Sequence, residues 1–170
     1  INGKECLNIL NHTELFRRCV LKTLMNTHYA PIHGDCQLTN TLADKEGGIY
    51  FIDARGYFGK SKILGDVRYD WSKLYYAING NFDQFNVKNF KFEISNGCVN
   101  FSIGSGGWEF LTDELIDSLP PGEGNLKEIR LIHSIIWLSM ASHVWEDFDS
   151  MCVAFFNGTL LFNEWLSEYG

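Results

Sequence analysis

The chain has 170 residues, the length of one ordinary domain. Its hydrophobic fraction of 45%, with 15% aromatic, is enough for a real core and excludes an intrinsically disordered chain. The net charge of −7 excludes a non-specific nucleic-acid binder, because phosphate contacts need clustered Lys and Arg.

In chain order, Leu15, Phe16, Cys19, Val20 and Leu24 recur at helical spacing and predict an amphipathic helix from Thr13, its N-cap, to about Tyr29. Pro31 ends it, since the residue before a proline is pushed toward extended geometry. Residues 32–42 show no steady period and read as a loop. Gly47–Gly48 marks a turn, and Ile49 to Ile52 is a short apolar run that predicts a buried strand ending at Asp53. Residues 53–65, with three glycines and with Lys60 and Lys62, read as an exposed, solvated connection. Asp70 is the expected cap of a helix running to Ile78, with Trp71, Leu74, Tyr75 and Ile78 on one face and Gly80 just beyond it.

Asn96–Gly97 is the pair favoured by a type I′ hairpin turn. Folding about it sets Ile94 opposite Val99, Phe92 opposite Phe101 and Phe90 opposite Ile103 on one face, with Glu93 and Asn100 on the other. Residues 104–107 form a loop without phosphate-cradle spacing. The remainder reads as helix over 108–119, 125–145 and about 149–169, with Pro120–Pro121–Gly122 as a breaker. The expected fold class is α+β, mostly α, in a single domain over 1–170.

Residues 129–145 are the most apolar stretch, but Arg130, His133, Ser134, Ser139, Ser142 and His143 interrupt it. A membrane span needs about 20 predominantly apolar residues, so this is expected to be a core helix. His133 and His143 then read as structural histidines, while His12 and His28 simply flank the first helix. Phe155, Phe156, Phe162 and Trp165 recur at helical spacing as core, some of them on a face for a partner to cover. The first ten residues are too short and polar for a signal peptide. Cys6, Cys19, Cys36, Cys98 and Cys152 form no Cys-x-x-Cys pair, which predicts free thiols in a reducing cytoplasm and no zinc site. The Asn-x-Ser/Thr triplets at Asn11, Asn100 and Asn157 are then chance matches.

The chemistry-bearing stretch is His33-Gly34-Asp35-Cys36-Gln37-Leu38-Thr39-Asn40, followed by Ile52-Asp53. A carboxylate and a carboxamide five residues apart in a loop, joined by a second carboxylate at a strand end, are oxygen donors suited to a hard cation such as Mg2+. Phosphoryl transfer uses such a set: one Asp orients the attacking hydroxyl, and an Asn and an Asp hold metal on the nucleotide. A metal-dependent hydrolase on His33, Asp35 and Asp53 is a weaker alternative, lacking a His pair.

His-Gly-Asp-x-x-x-x-Asn followed by Ile-Asp resembles the catalytic segments of the aminoglycoside phosphotransferase and choline kinase group, which shares the protein-kinase-like fold. Asp53-Ala54-Arg55-Gly56 and Gly65-Asp66-Val67-Arg68-Tyr69-Asp70-Trp71-Ser72-Lys73-Leu74 are similar to the pattern of bacterial phosphotransferases linked to capsular or surface polysaccharide synthesis, and Ser139-Met140 with His143 adds to it. The likeness spans about 33–164.

The resemblance implies a kinase-like C-terminal lobe with a short strand pair at the catalytic loop. It implies Asp35 as catalytic base, Asn40 and Asp53 as metal ligands, and His33 and Asp70 as supports of the loop. Arg55 is matched either to a phosphate contact or to a carboxylate partner, and Asp66 either to a substrate contact or to a solvated loop. Ala54 stands where the pattern has proline. The implied reaction moves phosphate from ATP, with Mg2+, to a hydroxyl of a sugar or amino-alcohol in the cytoplasm.

The 32 residues before His33 offer no strand pair, Gly-rich turn or strand-borne Lys, so the nucleotide-binding N-terminal lobe is expected to lie outside this chain. That lobe or a partner chain would then complete the site. The alternative is a non-catalytic, pseudokinase-like docking module.

Overall fold

Asn125 and Glu128 start an 18-residue helix, Leu126–His143, that packs into both core clusters. The Asn125 side chain accepts from the Glu128 amide at 3.0 Å, and the Glu128 carboxylate accepts from the Asn125 amide at 3.1 Å. This capping box satisfies two backbone donors that a helix start otherwise leaves bare. The structure, a computed structural model, describes residues 1–27, 29–121 and 125–170. His28 and the Gly122 end of the expected breaker lie outside the described residues.

The helices are α1 (Thr13–Leu24), α2 (Val67–Ile78), α3 (Phe82–Asn86), α4 (Thr112–Asp117), α5 (Leu126–His143) and α6 (Phe148–Tyr169). Six short strands make three antiparallel pairs: β1 (Tyr29–Pro31) with β4 (Leu64–Asp66), β2 (Thr41–Ala43) with β3 (Ile49–Phe51), and β5 (Phe90–Ser95) with β6 (Cys98–Ile103). The architecture is α+β and mostly α. No helix among the described residues is long and apolar enough to cross a membrane.

α5 and α6 pack against each other closely at Gly158, where an added Cβ would lie 2.7 Å from the Leu138 side chain and 2.8 Å from its backbone nitrogen. One core cluster gathers Tyr76, Phe85, Ile132, Ile136, Trp137, Val153 and Ala154; a second joins Ile9, Leu131, Phe162 and Trp165. Trp137 is fully buried between Tyr76 and Phe85, with ring centroids 4.9 and 5.0 Å away. The β5–β6 hairpin has the expected register, and Asn96 and Gly97 both take positive φ, 51° and 74°.

Several local expectations are corrected. α1 stops at Leu24 with His12 as its N-cap, and Pro31 lies in a strand rather than at a helix end. The proline holds its predecessor extended, and pairing with residues 64–66 then recruits the segment into β1. Ile49, Tyr50, Phe51 and Ile52 are exposed by 42–59%, not buried. They belong to a two-stranded ribbon that contributes to neither core cluster. α2 is capped by Asp66, which accepts from the Arg68 amide at 3.0 Å; Asp70 sits inside the first turn. The buried face of α2 is also rotated from the apolar guess. Ser72, Lys73, Tyr75 and Tyr76 are buried, whereas Trp71 and Leu74 are only half-buried.

That rotation follows from Arg68. Its guanidinium, 1% exposed, bonds the Asp66 carboxylate at 2.9 Å and the Glu128 carboxylate at 2.8 Å, so it ties α2 to the capped start of α5. Arg68→Leu leaves two carboxylates without their cation. Urea unfolding is expected to show a loss of about 3–5 kcal/mol.

His133 is buried on α5. Its Nε2 accepts from the Trp137 indole N–H at 2.9 Å, and burial pushes its pKa down to about 3, aided by the Arg130 charge. The unfolded chain therefore binds a proton here between pH ~6.5 and ~3 that the folded chain refuses, so stability falls as pH drops through that window. His133→Gln keeps an acceptor but cannot titrate, and its stability is expected to depend less on pH from 6.5 downward than that of the wild type, measured by urea midpoints.

Candidate active site

The site begins with two bare amides. The loop after β1 runs in neither helix nor sheet, so the N–H groups of His33 and Gly34 need other acceptors. Asp70 supplies both, accepting from His33 at 2.7 Å and from Gly34 at 2.9 Å. One turn on along α2, Lys73 faces the same loop and places Nζ 2.8 Å from Asp35 Oδ1. Lys73 is 4% exposed, and its ammonium lies over the Tyr76 ring at 4.9 Å. The backbone before Asp35 and the side chain of Asp35 are thus both held from one helix.

Gly34 has φ +76°, a region where L side chains are strained, and an added Cβ would lie 3.1 Å from the Arg55 side chain. Beyond Asp35 the chain makes a 3-10 turn over Leu38–Asn40. This turn brings Asn40 back, so that its Nδ2 donates to Asp35 Oδ2 at 3.1 Å and to the Asp35 carbonyl at 3.0 Å. Gln37 Nε2 donates to the same Oδ2 at 3.2 Å. The Asn40 amide group turns its nitrogen to Asp35, and its oxygen makes no hydrogen bond with the described residues.

The second segment is laid alongside. The Ile52 amide donates to the Asn40 carbonyl at 2.9 Å, and Arg55 donates its amide to the His33 carbonyl at 2.9 Å. His33 joins the two segments through its ring: Nδ1 accepts from the Asp35 amide at 3.3 Å, and Nε2 lies 3.0 Å from the Ile52 carbonyl. Both bonds are satisfied together by the tautomer with its proton on Nε2. Asp53, the next residue, has φ +58°, a left-handed conformation uncommon outside glycine. Its side chain is exposed and makes no hydrogen bond or ion pair with the described residues.

Asp35 and Asn40 are therefore in direct contact, and the Asp53 backbone is one residue from the bonds that link the two segments. Arg55 stacks on the Tyr57 ring at 5.7 Å and is a neighbour of the Tyr69 hydroxyl. Asp66 stands apart: it caps α2 and pairs with Arg68, so it is neither a solvated loop residue nor linked by any contact to Asp35, Asn40 or Asp53. Cys36, between the key residues in sequence, is buried, and desolvation pushes its thiol up to about 12; it remains protonated and is a poor nucleophile or metal ligand.

Among the described residues, no group of three or more His, Cys, Asp or Glu side chains is placed to hold a metal. Asn40 and Asp53 are a different donor set, a free carboxamide oxygen and a free carboxylate. Such a pair fits Mg2+, which binds few protein oxygens and keeps several waters.

Sequence reasoning missed Lys73 and Gln37. A signal for Lys73 was available: it follows Asp70 by three residues on a helix, so both must share a face. Gln37 reaches Asp35 through a turn that no local pattern announces. No family model, curated protein or solved structure matches the chain.

Asp70→Ala removes both acceptors from the 33–34 amides. Unfolding free energy is expected to fall by about 2–3 kcal/mol, and hydrogen exchange at Gly34 is expected to accelerate beyond that global loss.

Proposed function

We propose that this chain is the catalytic lobe of a Mg2+-dependent phosphotransferase that moves the γ-phosphate of ATP to a hydroxyl of a small molecule. The observation that carries this reading is the contact between Asp35 and Asn40, in a loop held by Asp70 and Lys73, beside an Asp53 that is unpaired among the described residues. An acceptor hydroxyl attacking phosphorus must lose its proton while the bond to the ADP oxygen breaks. Asp35 is the group that takes this proton. Lys73, Gln37 and Asn40 fix the carboxylate's orientation, so little reorganisation is needed at the moment of transfer.

Asn40 and Asp53 would hold Mg2+, which when bound neutralises phosphate charge. The left-handed Asp53 supports this assignment, because strained backbone clusters at functional sites. His33 keeps the Asp53 segment in register with the Asp35 loop. The acceptor is a sugar or amino-alcohol of the kind consumed in surface polysaccharide assembly.

The exposed ribbon of Leu42, Ile49, Tyr50, Phe51 and Ile52 favours a further element of the site. Leu42 and Tyr50 lie on one side of the ribbon and Ile49 and Phe51 on the other, exposed apolar surface suited to a nucleotide-covering lobe or a partner chain. The same surface is what favours the second reading, a pseudokinase-like docking module.

The two readings separate on Mg2+-dependent ATP binding by calorimetry and on phosphate transfer, both measured with the lobe or partner chain that completes the site. Asp35→Asn keeps a carbonyl for Lys73 and is expected to remain folded. It is expected to lower ATP turnover by about 100-fold or more. An Asp53→Ala chain is expected to lose the Mg2+ dependence of nucleotide binding. Absence of Mg2+-dependent ATP binding when the chain is joined to the lobe or partner that completes the site contradicts the enzyme reading and leaves the docking one.

A further inference from the structure

A small cleft of about 200 Å³ opens beside Gln37, lined by it and by Leu38, Thr39, Ala77, Phe82, Asp83 and Trp108. Gln37 is 8% exposed, and its nitrogen is already engaged by Asp35. Its Oε1 is buried and has no hydrogen-bond partner. Asp83 is in the same position: Oδ2 accepts from Gln84 at 3.1 Å, while Oδ1 is buried and unpartnered. Buried polar atoms are nearly always paired, so two orphan acceptors on one small cleft are a departure that asks for a donor.

The loop opposite is shaped to leave that space. Gly106 donates its amide to Asn81 at 2.7 Å, and an added Cβ there would fall 2.8 and 2.9 Å from the two Asp83 carboxylate oxygens. A glycine at this point lets the loop close over Asp83 without filling the cleft. Two residues on, Trp108 brings an indole to the rim, 41% exposed.

The lining fixes the chemistry of an occupant. Its two orphan atoms, Gln37 Oε1 and Asp83 Oδ1, are acceptors that call for donors on the ligand, and the Thr39 hydroxyl can give or take a further bond. No Lys or Arg lines the cleft and Asp83 does, so an anionic ligand is repelled. Phe82 and Trp108 offer aromatic faces to C–H groups. The volume is below the ~300–1,000 Å³ of drug-sized sites, which limits the occupant to about one ring.

We propose that this cleft binds a monosaccharide without an anionic group, its hydroxyls donating to Gln37 Oε1 and Asp83 Oδ1 and its apolar face lying against Trp108. This rests on the phosphotransferase reading for its role as the acceptor site, because Gln37 joins the cleft to Asp35. It makes Gln37, Asp83 and Trp108 the residues that choose the acceptor.

The test is an NMR titration of this chain with glucose, glucosamine and glucuronate, without nucleotide or metal. Glucose or glucosamine is expected to shift the amides of residues 37–39, 82–83 and 106–108. Asp83→Asn and Trp108→Ala, both at the cleft surface, are each expected to weaken that binding by about tenfold or more, while circular dichroism stays unchanged. Glucuronate is expected not to bind. Equal binding of glucuronate, binding that ignores both variants, or no binding of either other sugar at millimolar concentration overturns the proposal. Sugar binding by a protein that fails to bind ATP with Mg2+ even with its completing lobe or partner would leave the cleft standing and remove the phosphotransferase reading; ATP turnover without sugar binding would do the reverse.

Discussion

A loop that must present a carboxylate to solvent cannot satisfy its own backbone, and here one helix does it instead. Asp70 accepts both amides that precede Asp35, and Lys73, one turn later, holds the Asp35 carboxylate. The spacing matters more than either bond. Residues three apart on a helix point the same way, so the two anchors share one rigid support. His33 and the Ile52–Asn40 bond then carry that rigidity to the segment bearing Asp53.

α2 can serve as support because it is itself anchored by charge. Arg68 is buried between Asp66 and Glu128, and Glu128 also closes the capping box of α5. Two buried cations on one helix, Arg68 and Lys73, are costly to desolvate and are each matched to carboxylates. The first joins α2 to the helical core, and the second joins it to the loop. Two separate sets of ion pairs, joined only through α2, thus tie the α5 start and Asp35 to one helix, with the Tyr76 and Phe82 rings packed around the Lys73 head.

Where structure is local, it was legible in the residues. The Asn96–Gly97 turn fixed the β5–β6 register, and the limits of α5 and α6 fell within two residues of those read from spacing and caps. Where a distant partner decides, it was not. Tyr29–Pro31 reads locally as a helix end, and only pairing with residues 64–66 makes it a strand. The apolar run 49–52 shows what a strand is made of but not whether anything covers it. At the site, the Asp35–Asn40 contact follows from a short turn and their spacing. The Gln37 and Lys73 contacts depend on where α2 lies against the loop, and hydropathy misplaced the buried face of α2 because it cannot anticipate paired buried cations.

We propose that Asn40 and Asp53 face one divalent ion next to Asp35. Paramagnetic broadening by Mn2+, which takes the same oxygen donors as Mg2+, measures this most directly. In an amide-resolved NMR spectrum of the chain with ATP, substoichiometric Mn2+ is expected to erase Asn40, Ile52, Asp53 and Ala54 first and to spare α5 and α6. Broadening centred on another part of the molecule, or spread evenly over its acidic surface, would contradict it.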